Sequence, residues 1–168
     1  MRLPPVDQYR EPFIEPLGRL TLMAALADNL LTDILAISNA GSEELATATH
    51  FTKASGLVRH WGARERKKAT QMIKDLPETL RSAVTECLER FGALKERRNR
   101  AIHDAVDLGW DGENNRLLAL AIGYPKVAGE TAFRIERVTP DVIADLACEY
   151  DELRADLEHC RYMLLRPV

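Results

Sequence analysis

Cysteine is scarce. The chain has 168 residues and three cysteines, Cys87, Cys148 and Cys160, an odd number at unrelated spacings. That excludes a disulfide framework and a zinc cluster, and points to reduced thiols in a cytoplasmic protein. Charge of one sign is also lacking. The net charge is -3, so bulk charge does not mark a polyanion binder, although a local basic patch still can be one. No run approaches the ~18 apolar residues needed to cross a bilayer, so no membrane partner is expected. The opening "MRLPPVDQYREPF" has no apolar stretch of the kind a signal peptide needs. The glycines are scattered and open no strand–helix turn, which argues against a Gly-rich nucleotide loop. There is no internal repeat and no transporter or redox motif. His50, His60 and His159 have no ligand-like neighbours at useful spacing, and the adjacent His159 and Cys160 cannot both chelate one ion comfortably. Neither a metal nor another cofactor is expected.

What remains is 46% apolar and 29% charged, enough to bury one core in a single domain. Residues 1–12 are Pro-rich and read as a loosely ordered arm. A long helix is expected from about Phe13 to Ser38. Its stripe is Leu17, Leu20, Ala24, Ala27, Leu31, Ile34 and Leu35, at intervals of three and four. Ser42 with Glu43 and Glu44 reads as a second helix start, and a break is expected within Thr47–Gly56. A third helix is expected over Leu57–Leu76, kinked or broken at Gly62. Pro77 opens a fourth, with Leu80, Val84, Cys87, Leu88, Phe91, Leu94, Ala101 and Ile102 as its apolar face, reaching about Val106. The pattern then changes. "TAFRIERVT" alternates, Phe133 and Ile135 against Arg134 and Glu136, so two or three strands are expected with turns at "DGENN" and "PKVAG". Thr139, Pro140 and Asp141 start a last helix through Val142, Leu146, Tyr150, Leu153, Leu157, Cys160 and Leu164. The expected class is mainly α: an antiparallel helical bundle with a small β-hairpin inserted before the last helix, at about 108–138.

The stretch richest in chemistry is "LKERRNRAIHDAV", Leu94–Val106, with four basic residues in the six positions from Lys95 to Arg100. On a helix of ~100° per residue, Arg98, Asn99, Ile102 and His103 share one broad face. Arg98 lies four residues after Leu94 and seven after Phe91, in line with the apolar stripe. A guanidinium there is costly unless it is paired or lines a cleft. The set suits acid–base attack on a phosphodiester. An imidazole moves a proton near neutral pH, a guanidinium forks onto phosphate oxygens, and an amide orients either group. With RNA the 2′-OH is an internal nucleophile, so no metal is required.

"RNRAIH", Arg98–His103, resembles the R-x4-6-H motif of HEPN-domain proteins, including the Asn directly after the Arg. Its place near the end of a late helix, with another helix following, is similar too, as is the long first helix "PLGRLTLMAALADNLL". The resemblance implies a HEPN-like helical domain over 13–168 that homodimerises, with two motifs facing each other across a cleft. It implies a cytoplasmic, metal-independent endoribonuclease, a toxin or defence effector with an antitoxin partner protein. Arg98 and His103 would be the catalytic pair and Asn99 their polar helper, with Lys95, Arg97 and Arg100 holding the RNA backbone. The family also contains non-catalytic dimerisation, interaction and nucleotide-binding modules, and this is the alternative. Two departures stand out. Ala105 occupies the place where members paired with a nucleotidyltransferase carry a Tyr, and the β insertion has no counterpart in a minimal bundle.

Structural readings stand beside these. Arg98 can pair with an acidic residue, and His103 can cap the helix or satisfy a carbonyl. "RHWGARERKK", Arg59–Lys68, is either an RNA-backbone patch with a stacking aromatic or a solvated face with Trp61 in the core. Trp61 fits the apolar stripe and is assigned to the core. The seven acidic residues between Asp141 and Glu158 read as a solvated face that can also dock onto basic segments.

Overall fold

The computed structural model describes residues 7–103, 105–111, 116–123, 126–127, 130–131 and 134–166; side chains are described for 7–102, for Ala119 and for 137–166. The chain is mainly helical. The first helix, α1, is Glu11–Ala40. It starts two residues earlier than the apolar pattern indicates, because Asp7 organises the turn ahead of it. The Asp7 carboxylate accepts from the amides of Tyr9 (3.1 Å) and Arg10 (3.0 Å), and its carbonyl accepts from Arg10 and Glu11. Residues 7–10 are therefore a capped turn, while 1–6 of the expected arm lie outside the described residues. Gly41, at φ 92°, ends α1 and sends its N–H to the Ile37 carbonyl at 2.9 Å.

By length and composition α1 passes for a membrane span. From Leu20 its buried positions Ala24, Ala27, Leu31, Ile34 and Leu35 nevertheless recur at three and four, before burial broadens over Ala36 and Ile37 at the helix end. That is the signature of a helix with one face turned to a protein core.

The second helix, α2, is Ala48–Arg59. The start expected at Ser42 is instead an isolated turn, in which the Ser42 hydroxyl accepts from the Leu45 amide at 3.4 Å. The stronger cap is Thr47, whose N–H donates to Nδ1 of His50, three residues on, at 3.1 Å. The Thr- and Ser-containing segment expected to break is thus helical. The expected helix over 57–76 is divided. Leu57, Val58 and Arg59 finish α2, Gly62 caps a new start, and α3 is Ala63–Met72. The fourth helix, α4, is Glu78–His103. Pro77 precedes it, accepting from the Arg81 amide at 2.8 Å. The helix stops three residues short of Val106, because Ala105 enters a strand.

That strand, β1 (Ala105–Asp111), pairs antiparallel with β2 (Arg116–Gly123), and β2 pairs antiparallel with β5 (Arg134–Arg137). Between them β3 (Lys126–Val127) pairs with β4 (Glu130–Thr131). Lys126 and Val127, expected within a turn, are thus strand residues. Positions 112–115 of the expected "DGENN" turn and the face expected to carry Phe133 lie outside the described residues. The last helix, α5, is Pro140–Leu165, with the Thr139 hydroxyl accepting from the Val142 amide at 3.4 Å.

The chain forms two compact units: Met1–Thr21 with Glu96–Cys148, and Leu22–Lys95 with Glu149–Val168. The first holds the strands, in a three-stranded sheet and a two-stranded one. The second is a helical bundle. Its core contains Leu31, Ile34 and Leu35 of α1, Leu57 and Val58 of α2, and Ala69 and Met72 of α3. Val84, Leu88 and Phe91 of α4 and Tyr150, Leu153 and Leu157 of α5 complete it. Each fully buried Leu, Ile or Phe contributes about 1.5–3 kcal/mol of apolar transfer free energy.

Cross-helix pairs give the helix directions. Cys87 lies beside Cys160, and Arg90 pairs with Asp156 and, at 3.8 Å, with Glu152, so α4 and α5 run antiparallel. Trp61 stands edge-on to Phe91, centroids 5.0 Å apart, and Arg66 reaches Glu89 at 3.4 Å, so α3 and α4 also run antiparallel. Arg161 of α5 meets Asp33 of α1 at 3.1 Å. Part of the acidic face of α5 is thereby neutralised by Arg90, and part by Arg154, which bridges Asp151 and Glu158 at 2.7 Å each.

Candidate functional site

The basic stretch occupies the last two turns of α4, and the structure treats its members differently. Lys95 is 6% exposed, and its ammonium donates to the Val58 carbonyl at the end of α2. It also sits 5.1 Å from the centroid of the Phe91 ring. The charge expected to hold an RNA backbone is therefore turned into the bundle. The last carbonyls of a helix have no intrahelical donor, and a cation there meets both an open acceptor and the negative end of the dipole.

Arg98 is half-buried, as its place in the apolar stripe requires. Its guanidinium donates through Nε and Nη2 to Oδ1 of Asn99, at 3.3 and 3.0 Å. The Asn99 amide oxygen thus accepts from two N–H groups of its neighbour. Arg97 and Arg100 flank this pair, both half-buried. The apolar face was expected to run on through Ala101 and Ile102, but Ile102 is 39% exposed. The last fully buried apolar residue of α4 is Leu94, so Arg98 stands where the buried stripe gives way to surface. His103 is the final residue of the helix, five positions after Arg98. Its side chain lies outside the described residues.

The second basic segment also divides. Trp61, assigned to the core, is half-buried between α2 and α3 and packs on Phe91, and the approach is close. A Cβ built on Gly92 would meet the indole Nε1 at 3.0 Å. Arg66 is paired with Glu89. Arg64, Lys67 and Lys68 are exposed. His50 is a capping residue of α2. Among the described residues no three His, Cys, Asp or Glu side chains gather as a metal site would require.

Sequence reasoning missed a cavity of about 450 Å³ lined by Thr32 of α1 and by Phe51, Thr52, Ser55, Gly56, Arg59 and His60. The signal was present. "FTKASGLVRH" places Thr52, Ser55, Gly56 and Arg59 at intervals of three and four, one face of a helix. It was obscured because Thr, Ser and Gly together read as a helix break.

The chain matches no protein-family model, no curated protein and no solved structure.

Proposed function

We propose that the protein is a metal-independent endoribonuclease of HEPN type, with its site at Arg98, Asn99 and His103. The observation that supports this reading is the Arg98–Asn99 pair. A half-buried guanidinium at the edge of an apolar stripe is held by its neighbour's amide on the helix that ends in His103. A guanidinium already held in place has part of its ordering cost met before a phosphate arrives.

In this mechanism the His103 imidazole takes the proton of an RNA 2′-OH. The 2′-oxygen attacks the adjacent phosphorus, and Arg98 balances the charge that builds on the non-bridging oxygens. The P–O5′ bond breaks and the leaving 5′-oxygen takes a proton. The products are a 2′,3′-cyclic phosphate and a 5′-hydroxyl. In the homodimer that the resemblance implies, His103 of the partner subunit supplies that proton. Arg97 and Arg100 hold the flanking backbone; Lys95, buried in the bundle, does not. The reading carries with it a HEPN-like bundle with the β segment as an insertion before α5, a cytoplasmic setting, and a toxin or defence role with an antitoxin partner.

The test is incubation of the purified chain and its His103→Ala variant with mixed cellular RNA in EDTA. Cleavage by the unmutated chain alone, leaving cyclic phosphate ends, is the expected result. Cleavage that requires a divalent metal would overturn the mechanism.

The burial of Lys95 favours a second reading, since part of the basic stretch serves the fold. In that reading this end of α4 is a non-catalytic dimerisation or interaction surface. It predicts a folded dimer that leaves RNA intact.

A further inference from the structure

The cavity beside α2 lies outside the proposed nuclease site, and its lining has a definite chemistry. One wall is Thr32, whose hydroxyl donates to the Asp28 carbonyl at 2.8 Å and so offers a ligand its lone pairs. The other wall is one face of α2. Thr52 and Ser55 bring hydroxyls, Phe51 a half-buried ring, and Arg59 and His60 close the end with a guanidinium and an imidazole. No carboxylate lines it. Arg59 is exposed and, among the described residues, forms no ion pair. The volume of about 450 Å³ falls in the range of small-molecule sites.

Gly56 belongs to the same lining. It sits in the interior of α2, where glycine costs about 1 kcal/mol relative to alanine. At Gly92 the cost has a reason, because Trp61 packs against that backbone. At Gly56 it has none within the fold. Its φ is not in the left-handed region, and a Cβ built there meets nothing within 4 Å. The space such a Cβ would fill is the cavity itself. Gly56 leaves this part of the α2 face without a side chain, so a ligand in the cavity can come close to the backbone there.

We propose that this cavity binds a phosphate monoester joined to a planar ring, with Arg59 holding the phosphate, Phe51 packing on the ring, and Gly56 leaving room for the ligand. The hydroxyls of Thr52 and Ser55 donate to phosphate or sugar oxygens. The site lies at the C-terminal end of a helix, where the dipole disfavours a bare anion. Arg59 must supply the attraction, and the ring must supply part of the affinity. The proposal goes beyond the nuclease reading and stands without it.

The test is calorimetric titration of the full chain with adenosine 5′-monophosphate, adenosine and inorganic phosphate. The monophosphate should bind saturably, with adenosine and phosphate each weaker by about tenfold or more, since neither satisfies both halves of the site. Arg59→Ala should weaken monophosphate binding by a similar factor. Gly56→Ala should raise the melting temperature, because alanine favours the helix, and yet weaken binding. A 5′-phosphorylated oligodeoxyadenylate, which lacks the 2′-OH and so survives the proposed cleavage, separates the two sources of such a ligand. Binding tighter than that of the monophosphate and weakened by Arg59→Ala assigns the cavity to an oligonucleotide end, and equal or weaker binding, or tight binding that Arg59→Ala leaves unchanged, assigns it to a free nucleotide. Absence of saturable monophosphate binding would overturn the proposal. So would equal binding of adenosine, or a Gly56→Ala variant that is stabilised and binds normally.

Discussion

The ammonium of Lys95 donates a hydrogen bond to the carbonyl of Val58, and the two residues lie 37 positions apart. This contact ties α4 to the C-terminal end of α2 and uses a charge that the sequence had grouped with its arginines. Lys95→Met keeps the apolar stem and removes the donor, leaving a buried carbonyl without it. The expected loss is about 1–3 kcal/mol in urea unfolding, and Lys95→Ala should cost more because packing is lost as well. A Lys95→Met chain as stable as the parent would show that the contact contributes nothing.

Gly92→Ala tests the close approach of Trp61. Helix propensity alone would stabilise the variant by about 1 kcal/mol. The new methyl would press on an indole backed by Phe91, and the net effect should be a loss of about 1 kcal/mol with a changed Trp61 fluorescence. A stabilised variant with unchanged emission would show that the indole yields.

The three thiols should react in a fixed order. Cys148 is exposed, whereas Cys87 and Cys160 are buried. Cys160 beside it, aided by burial, pushes the Cys87 thiol well above the ordinary thiol range. Iodoacetamide at mildly alkaline pH should place a single adduct, at Cys148, on the native chain. Denaturant should expose all three, as intact mass would read. Native modification of Cys87 would contradict the packing of α4 on α5.

The turn before α1 should depend on pH in one direction. The Arg10 guanidinium holds the Asp7 carboxyl below its usual value of 3.8, and the Arg10 and Tyr9 amides add to this. A carboxylate favoured in the folded state stabilises the turn above that usual value. The contribution is lost as pH falls through the lower, folded-state pKa. The amide resonances of Tyr9 and Arg10 should therefore titrate below pH 3.8. In Asp7→Asn this acid transition should vanish.

Asn99 is expected to act on catalysis through Arg98. If the nuclease reading holds, Asn99→Ala should lower the cleavage rate by about 10–100-fold with little change in melting temperature, because the guanidinium loses its anchor. Asn99→Asp, which keeps the acceptor, should recover part of the rate. Equal rates for Asn99→Ala and the parent would remove Asn99 from the site.

Much of this chain was legible because the helical period is short-range. The stripes of α1, α4 and α5 run where Leu31, Val84, Leu88, Leu153 and Leu157 indicate, since burial of one face is set by spacing, but at the start of α5 Ile143 is buried and the expected Val142 is exposed. The boundaries were less legible. Ser42 and Thr47 offer the same hydroxyl, and the cap went to the one with His50 three residues on. Period also placed Arg98 at the edge of the stripe, and adjacency placed Asn99 within reach of it.

By itself, then, the sequence determined the helical class, the inward faces and the Arg98–Asn99 pair, each a matter of neighbours within a few residues. Tertiary structure alone decided the fate of Lys95, the approach of Trp61 to Gly92 and the cavity over Gly56. In each of these the partner comes from another helix, and no local pattern records which carbonyl, ring or open space a distant segment will bring.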